Sequence, residues 1–186
     1  ERALRRAGIS VAYSEGFNPR PKMTFALPLS VGVTSSAEYA DFEVDGTIAP
    51  EEFREKLNQS LPSGLNIMDA AVLEDRAGGS LMATVKSASY DVKIEIQKGA
   101  DIGRAVSEFM GKSYIGVKKE TKKGLTEINI RQMILELEAE TAHTGEHILH
   151  MILSAGSIEN LKPELVVSAL SEHLGNGLIC KSIHRT

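Results

Sequence analysis

Tyr90, Val92, Ile94 and Ile96 alternate with Asp91, Lys93 and Glu95, and no other stretch of the chain limits its fold as firmly. A period of two over this length makes a strand with one face in a core and the other in water. Asp101 then stands where an N-cap is needed, ahead of a helical stripe of Ile102, Ala105, Val106, Phe109 and Met110. Residues 114 to 119 and 125 to 130 flank Lys122-Lys123-Gly124 and read as a hairpin with a basic tip. Leu135, Leu137 and Ala139 alternate with Glu136 and Glu138, residues 148 to 153 form a more continuously apolar strand, and a turn at Thr144-Gly145 joins the two. Pro163 opens a helix whose stripe is Leu165, Val166, Ala169, Leu170 and Leu174, Gly175 stops it, and residues 178 to 183 supply the last strand.

The first half repeats this order with less contrast. Glu1 to Gly8 reads as the second half of a helix that ends in a left-handed glycine, so the chain is expected to begin inside an element. Ile9, Val11 and Tyr13, then Met23, Phe25, Leu27 and Leu29, then Ala40, Phe42 and Val44 alternate as strands do. Pro50 starts a helix carrying Phe53, Leu57 and Leu61, and Leu65, Ile67 and Val72 are expected to close the half with a strand. The polar, glycine-rich stretch from Asp75 to Ser80 is the linker signal. The expected fold is therefore α+β: two tandem ferredoxin-like (β-α-β-β-α-β) units, the first without its N-terminal strand. They would occupy residues 1–76 and 87–186, with 77–86 between them.

Composition removes several classes of function. With a net charge of −4, the chain cannot coat nucleic acid through bulk charge, although a local basic patch can still bind it. Cys180 is the single cysteine, which excludes an internal disulfide and a cysteine-ligated cluster built by this chain alone. No P-loop or dinucleotide-type glycine loop occurs, so no cofactor is expected. No apolar run reaches the roughly 20 residues of a membrane span and no secretory signal is visible, which makes a cytoplasmic protein without membrane contact the expectation.

What remains is recognition. In Tyr13-Ser14-Glu15-Gly16-Phe17-Asn18-Pro19-Arg20-Pro21-Lys22 the prolines restrict the backbone and present Asn18, Arg20 and Lys22, donors suited to phosphate or carboxylate. A rigid surface turn accounts for the same prolines without any ligand. A partial echo, Gly156 to Pro163, places Asn160 and Lys162 ahead of a helix N-terminus, where an anion is favoured, and where Asn160 can equally serve as the helix cap. Lys118, Lys119, Lys122 and Lys123 suit either a phosphate backbone or a solvated edge. His143, His147 and His150 do not converge as metal ligands, because residues an odd number apart on a strand face opposite ways, and no metal site is expected. His184 and Arg185 stand at the end of the last strand. His184 is a speculative general base with no partner nucleophile at a recognisable spacing.

Several of these strings resemble one family: Arg2 to Gly8, Tyr13 to Lys22, Ala26-Leu27-Pro28-Leu29, Val31-Gly32-Val33, Ala37-Glu38-Tyr39, Ala155-Gly156-Ser157, Asn160 to Val166 and His184-Arg185-Thr186. Together they resemble the bacterial radical-SAM-linked domain of unknown function, found alone or fused behind a radical SAM domain. The resemblance implies a radical SAM partner and no established reaction. It also raises RNA as a substrate, by association with RNA-processing and ribosomal genes. Because the chain lacks a three-cysteine cluster motif, it is not itself the radical enzyme. The expected function is a non-catalytic module that presents structured RNA to that partner, with Asn18, Arg20, Lys22, Asn160, Lys162 and Arg185 contacting anionic groups. Two alternatives follow from the same features: an RNA endonuclease of tandem ferredoxin-like type using His184, and a protein-only adaptor.

Overall fold

A computed structural model describes residues 1–73, 81–96, 100–121, 124–141 and 146–186, without the side chains of 119–121. The chain is mixed α+β and divides into two compact units. The first comprises Glu1–Phe25 and Tyr39–Leu81, and the second comprises Ala26–Glu38 and Met82–Thr186. The expected linker at 75–80 and the hairpin turns at Lys122-Lys123 and Thr144-Gly145 lie outside the described residues, as does His143.

The first unit holds α1 (Arg2–Arg6), β1 (Met23–Phe25), β3 (Ala40–Phe42) and α2 (Pro50–Ser60), and β1 pairs antiparallel with β3. Gly8, at φ +67°, takes the left-handed conformation expected of it, and the Ile9 N–H returns to the Leu4 carbonyl. Leu4, Ile9, Val11, Phe53 and Leu57 make a small core. Three expected strands are shorter or absent. Ile9 to Tyr13 contributes only isolated bridges, Val11 with Val44 and Tyr13 with Pro21. The strand begun at Met23 stops at Phe25, because the chain there leaves for the second unit. Leu65 to Val72 forms no strand, and Leu65, Met68 and Val72 are exposed. A side chain takes the place of a neighbouring strand: Asn58 accepts from the Ile67 N–H at 2.7 Å and donates to the Ile67 carbonyl at 3.0 Å.

In the second unit β2 (Val33–Ser35), β4 (Ser87–Ile96), β7 (Ile134–Thr141), β8 (His147–Ser154) and β9 (Leu178–Arg185) form a five-stranded sheet ordered β2-β9-β4-β8-β7. The outer pair β2-β9 is parallel and the remaining pairs are antiparallel. A hairpin of β5 (Gly116–Thr121) and β6 (Gly124–Asn129) forms its own two-stranded sheet, and the turn α3 (Leu81–Thr84) precedes β4. The alternation in β4 does what its period requires: Tyr90, Val92 and Ile94 are buried with Leu149, Met151 and Leu153 of β8. Helices α4 (Ile102–Met110) and α5 (Pro163–His173) cover this face with Ile102, Val106, Phe109, Val166 and Leu170. Asp101 caps α4 as expected, its carboxylate accepting from the Arg104 N–H at 3.0 Å. The opposite face of the sheet carries Asp91, Lys93, His150, His184 and the glutamates of β7.

Candidate binding site around Arg185

Arg185, near the end of β9, is a buried charge, and a buried guanidinium must find an anion and further acceptors. Glu38 supplies the anion. Arg185 Nε donates to its carboxylate at 2.9 Å, Nη2 donates to both oxygens at 2.5 Å, and Nη2 also donates to the Leu27 carbonyl at 2.8 Å. The Ser36 N–H donates back to the Arg185 carbonyl at 2.9 Å. Together with the β2-β9 ladder, these bonds bind the segment from Ala26 to Glu38 to the last strand. Burial pushes the Tyr90 phenol above its ordinary value of 10.0, and a hydrogen bond with Arg185 partly offsets that.

Beside this pair lies a cavity of about 300 Å³. Leu27, Pro28, Leu29, Val33 and Pro163 give it apolar walls, while Ser30, Tyr90, Asn160, Lys162, Glu164 and Arg185 give it polar groups. Asn160 is not the cap of α5. That position belongs to Lys162, with no side-chain cap bond, and Pro163 follows at the first turn. Among the described residues the Lys162 ammonium has no carboxylate partner, so the exposed Asn160 and Lys162 remain open to a ligand. Arg185, by contrast, is committed within the protein.

The other expected contacts lie in the first unit. The loop from Ser14 to Arg20 is closed on itself, with the Ser14 N–H bonded to the Arg20 carbonyl at 2.8 Å and the Arg20 N–H to Ser14 Oγ at 3.0 Å. Asn18 and Arg20 are exposed there, and Phe17 is fully exposed beside them. Lys22 is paired with Glu43 at 2.7 Å, which raises its pKa above 10.5. The structure thus brings Asn160, Lys162 and Arg185 together in one unit and places Asn18, Arg20 and Lys22 in the other.

On the open sheet face His184 is held at both ring nitrogens, Nδ1 2.8 Å from Thr34 Oγ1 and Nε2 2.7 Å from Ser36 Oγ. Asp91 faces His184 in the β4-β9 register and His150 in the β4-β8 register. His150 contacts Asp91 at 2.7 Å and Glu140 at 3.0 Å, whereas His147 contacts Thr141 at 2.9 Å. The row from Thr34 to Glu140 was hidden in the sequence, because strands that are neighbours in the sheet lie far apart in the chain. So were Glu38 and Tyr90, the partners of Arg185. An acid three residues beyond a short strand carries no periodic signal.

The Asp91 and Glu140 hydrogen bonds, in that order, raise the His150 pKa above its ordinary 6.5. A raised folded-state pKa contributes stability that is fully present below pH 6.5 and lost as pH rises through the folded value. The side chains of His150, Asp91 and Glu140 are 40, 41 and 63 % exposed, so solvent screening keeps the contribution below about 1 kcal/mol. His150→Gln is expected to lower stability at pH 5.5 and to have less effect at pH 9. Urea unfolding at the two pH values measures the difference.

No helix among the described residues is long and apolar enough to cross a membrane. No curated protein matches the chain. The family described as an uncharacterized protein conserved in bacteria (DUF2344) matches residues 1–163, which include the loop at Tyr13 to Lys22, the segment that reaches Arg185, and Asn160 and Lys162. The chain belongs to this bacterial family of unknown function.

Proposed function

We propose that the chain is a recognition module, non-catalytic at the cavity beside Arg185, that holds an anionic group of its substrate, structured RNA, and presents it to a radical SAM partner. Convergence carries this reading. The strings at 26–29, 31–33, 37–39, 160–166 and 184–186, which bear the family resemblance, supply nearly all the residues around one amphipathic cavity. A cavity of about 300 Å³ reaches the lower end of the range for small-ligand sites and suits a nucleotide-sized group. Lys162 and Asn160 bind the anion, and Arg185, held by Glu38, positions the wall formed by Leu27 to Ser30. The loop with Asn18, Arg20 and Lys22 in the first unit is a second anion contact. Exposed Val31 and Ile158 adjoin the lining segments and suit docking by a protein partner.

The open sheet face is no platform for RNA. Glu136, Glu138, Glu140, Asp91 and Glu95 outweigh Lys93 and Lys181 there, Lys181 being paired with Glu95, which confines RNA contact to the loops. For residues 87–186 the ferredoxin-like reading is supported by the strand order β9-β4-β8-β7, with α4 and α5 on one face. Lys162→Ala is expected to weaken RNA binding several-fold and to reduce the slope of log affinity against log salt by about 1. The double variant Arg20→Ala/Lys22→Ala is expected to weaken it further with the fold intact. Unchanged affinity at low salt for both variants would remove the RNA assignment.

A further inference from the structure

We infer that Ser36, His184 and Thr34 form a nucleophile, its general base and a positioning hydroxyl, giving the second unit an acyl-transfer site on the face of the sheet away from α4 and α5. Nucleophilic catalysis by serine needs a base within about 2.6–3.2 Å of the hydroxyl and a third group that orients the base. His184 Nε2 lies 2.7 Å from Ser36 Oγ, and Thr34 Oγ1 lies 2.8 Å from Nδ1 on the other side of the ring. Ser36 is exposed and His184 half-buried, so the hydroxyl is open to a substrate while the ring is fixed. The β2-β9 ladder holds Thr34 opposite His184, and Ser36 follows two residues later on the same side. Its N–H is tied to the Arg185 carbonyl at 2.9 Å, which anchors the nucleophile's backbone.

Charge selects the substrate class. Asp91 faces His184 across the sheet, with His150 and Glu140 beyond it. Asp91 and Glu140 make this face of the sheet acidic, which disfavours a phosphodiester. The site therefore takes a neutral or cationic carboxylic ester. Nδ1–H donates to Thr34 Oγ1, leaving Nε2 free to accept. Ser36 Oγ attacks the carbonyl carbon while its proton passes to His184 Nε2. The C–O bond to the leaving alcohol breaks, and that alcohol takes the proton from His184. Water then attacks the acyl carbon while its proton passes to the same nitrogen, the Oγ–acyl bond breaks, Oγ takes that proton back from His184, and the carboxylic acid leaves.

The test uses the full chain and a fluorophosphonate probe, which forms an Oγ–P bond and expels fluoride, with the labelled residue located by peptide mass spectrometry. Labelling is expected at Ser36 alone and absent in Ser36→Ala. His184→Gln is expected to slow it about 100-fold or more. Thr34→Val is expected to slow it several-fold with Ser36 still the labelled residue and an altered pH profile. Hydrolysis of p-nitrophenyl acetate should follow the same order. If the hydroxyls merely satisfy the ring, Ser36 stays unlabelled, labelling spreads over other hydroxyls, or His184→Gln labels at the wild-type rate. Each of these overturns the inference. Because Ser36→Ala removes only an exposed hydroxyl, it keeps the test decisive even if His184→Gln unfolds.

Discussion

Replacing Glu38 by alanine is expected to destabilise the second unit by about 2–3 kcal/mol. Removing one partner of a buried ion pair costs about 3–5 kcal/mol, because the charge left behind is neither hydrated nor paired. Here the Arg185 side chain is 8 % exposed and that of Glu38 28 %, so water partly reaches the site and the cost falls to the low end of that range or just below it. Glu38→Gln keeps an acceptor for Nη2 and should cost less. Arg185→Ala also removes the donor to the Leu27 carbonyl, and the double variant Glu38→Ala/Arg185→Ala should be more stable than the sum of the single changes predicts. Denaturant titrations that move the midpoint at constant slope would measure these differences. A Glu38→Ala protein as stable as wild type would show that the pair does not hold the segment from Ala26 to Glu38 in place.

The second large effect concerns Gly156. Its backbone, at φ +126°, occupies a region that L side chains rarely adopt, and a Cβ built there would approach the Val85 carbonyl oxygen closer than 3.0 Å. The obstructing atom is backbone and cannot rotate aside. Gly156→Ala is therefore expected to cost about 3 kcal/mol or more, as strain and overlap add. Because Gly156 leads from β8 towards Asn160 and Lys162, the same change should displace the rim of the cavity and lower RNA affinity. By contrast, Gly111→Ala, in a right-handed residue whose nearest neighbours are at ordinary contact distance, should cost little. Thermal melting of the two variants checks the contrast, and equal midpoints would contradict it.

How much of this was legible in the sequence depended on periodicity. The alternation in β4, the stripe of α4 and the prolines that open α2 and α5 were legible because each element pays its own local cost and announces its own repeat. The segment from Ala26 to Glu38 announced nothing comparable. Met23 to Leu29 alternates as though it were one strand, and only long-range pairing ends β1 at Phe25 and sends Val33 to Ser35 alongside β9. Leu65 to Val72 has a strand's composition, but Asn58 supplies amide hydrogen bonds at Ile67 that a neighbouring strand would otherwise make. For the candidate site, the basic and amide residues were visible as types, while their states were not. Arg185 and Lys22 carry the charge expected of anion binders, yet Glu38 and Glu43 already occupy them, leaving Lys162, Asn160, Asn18 and Arg20 as the more open groups. His184 lacked a nucleophile by sequence spacing because Ser36 stands 148 residues away.

Recovery of RNA on the purified chain, from total cellular RNA across a salt series, decides whether the chain is an RNA-recognition module. A defined bound species is expected at low salt, released steeply as salt rises, with a shallower dependence for Lys162→Ala. Failure of the wild-type chain to retain any RNA at low salt would contradict this reading.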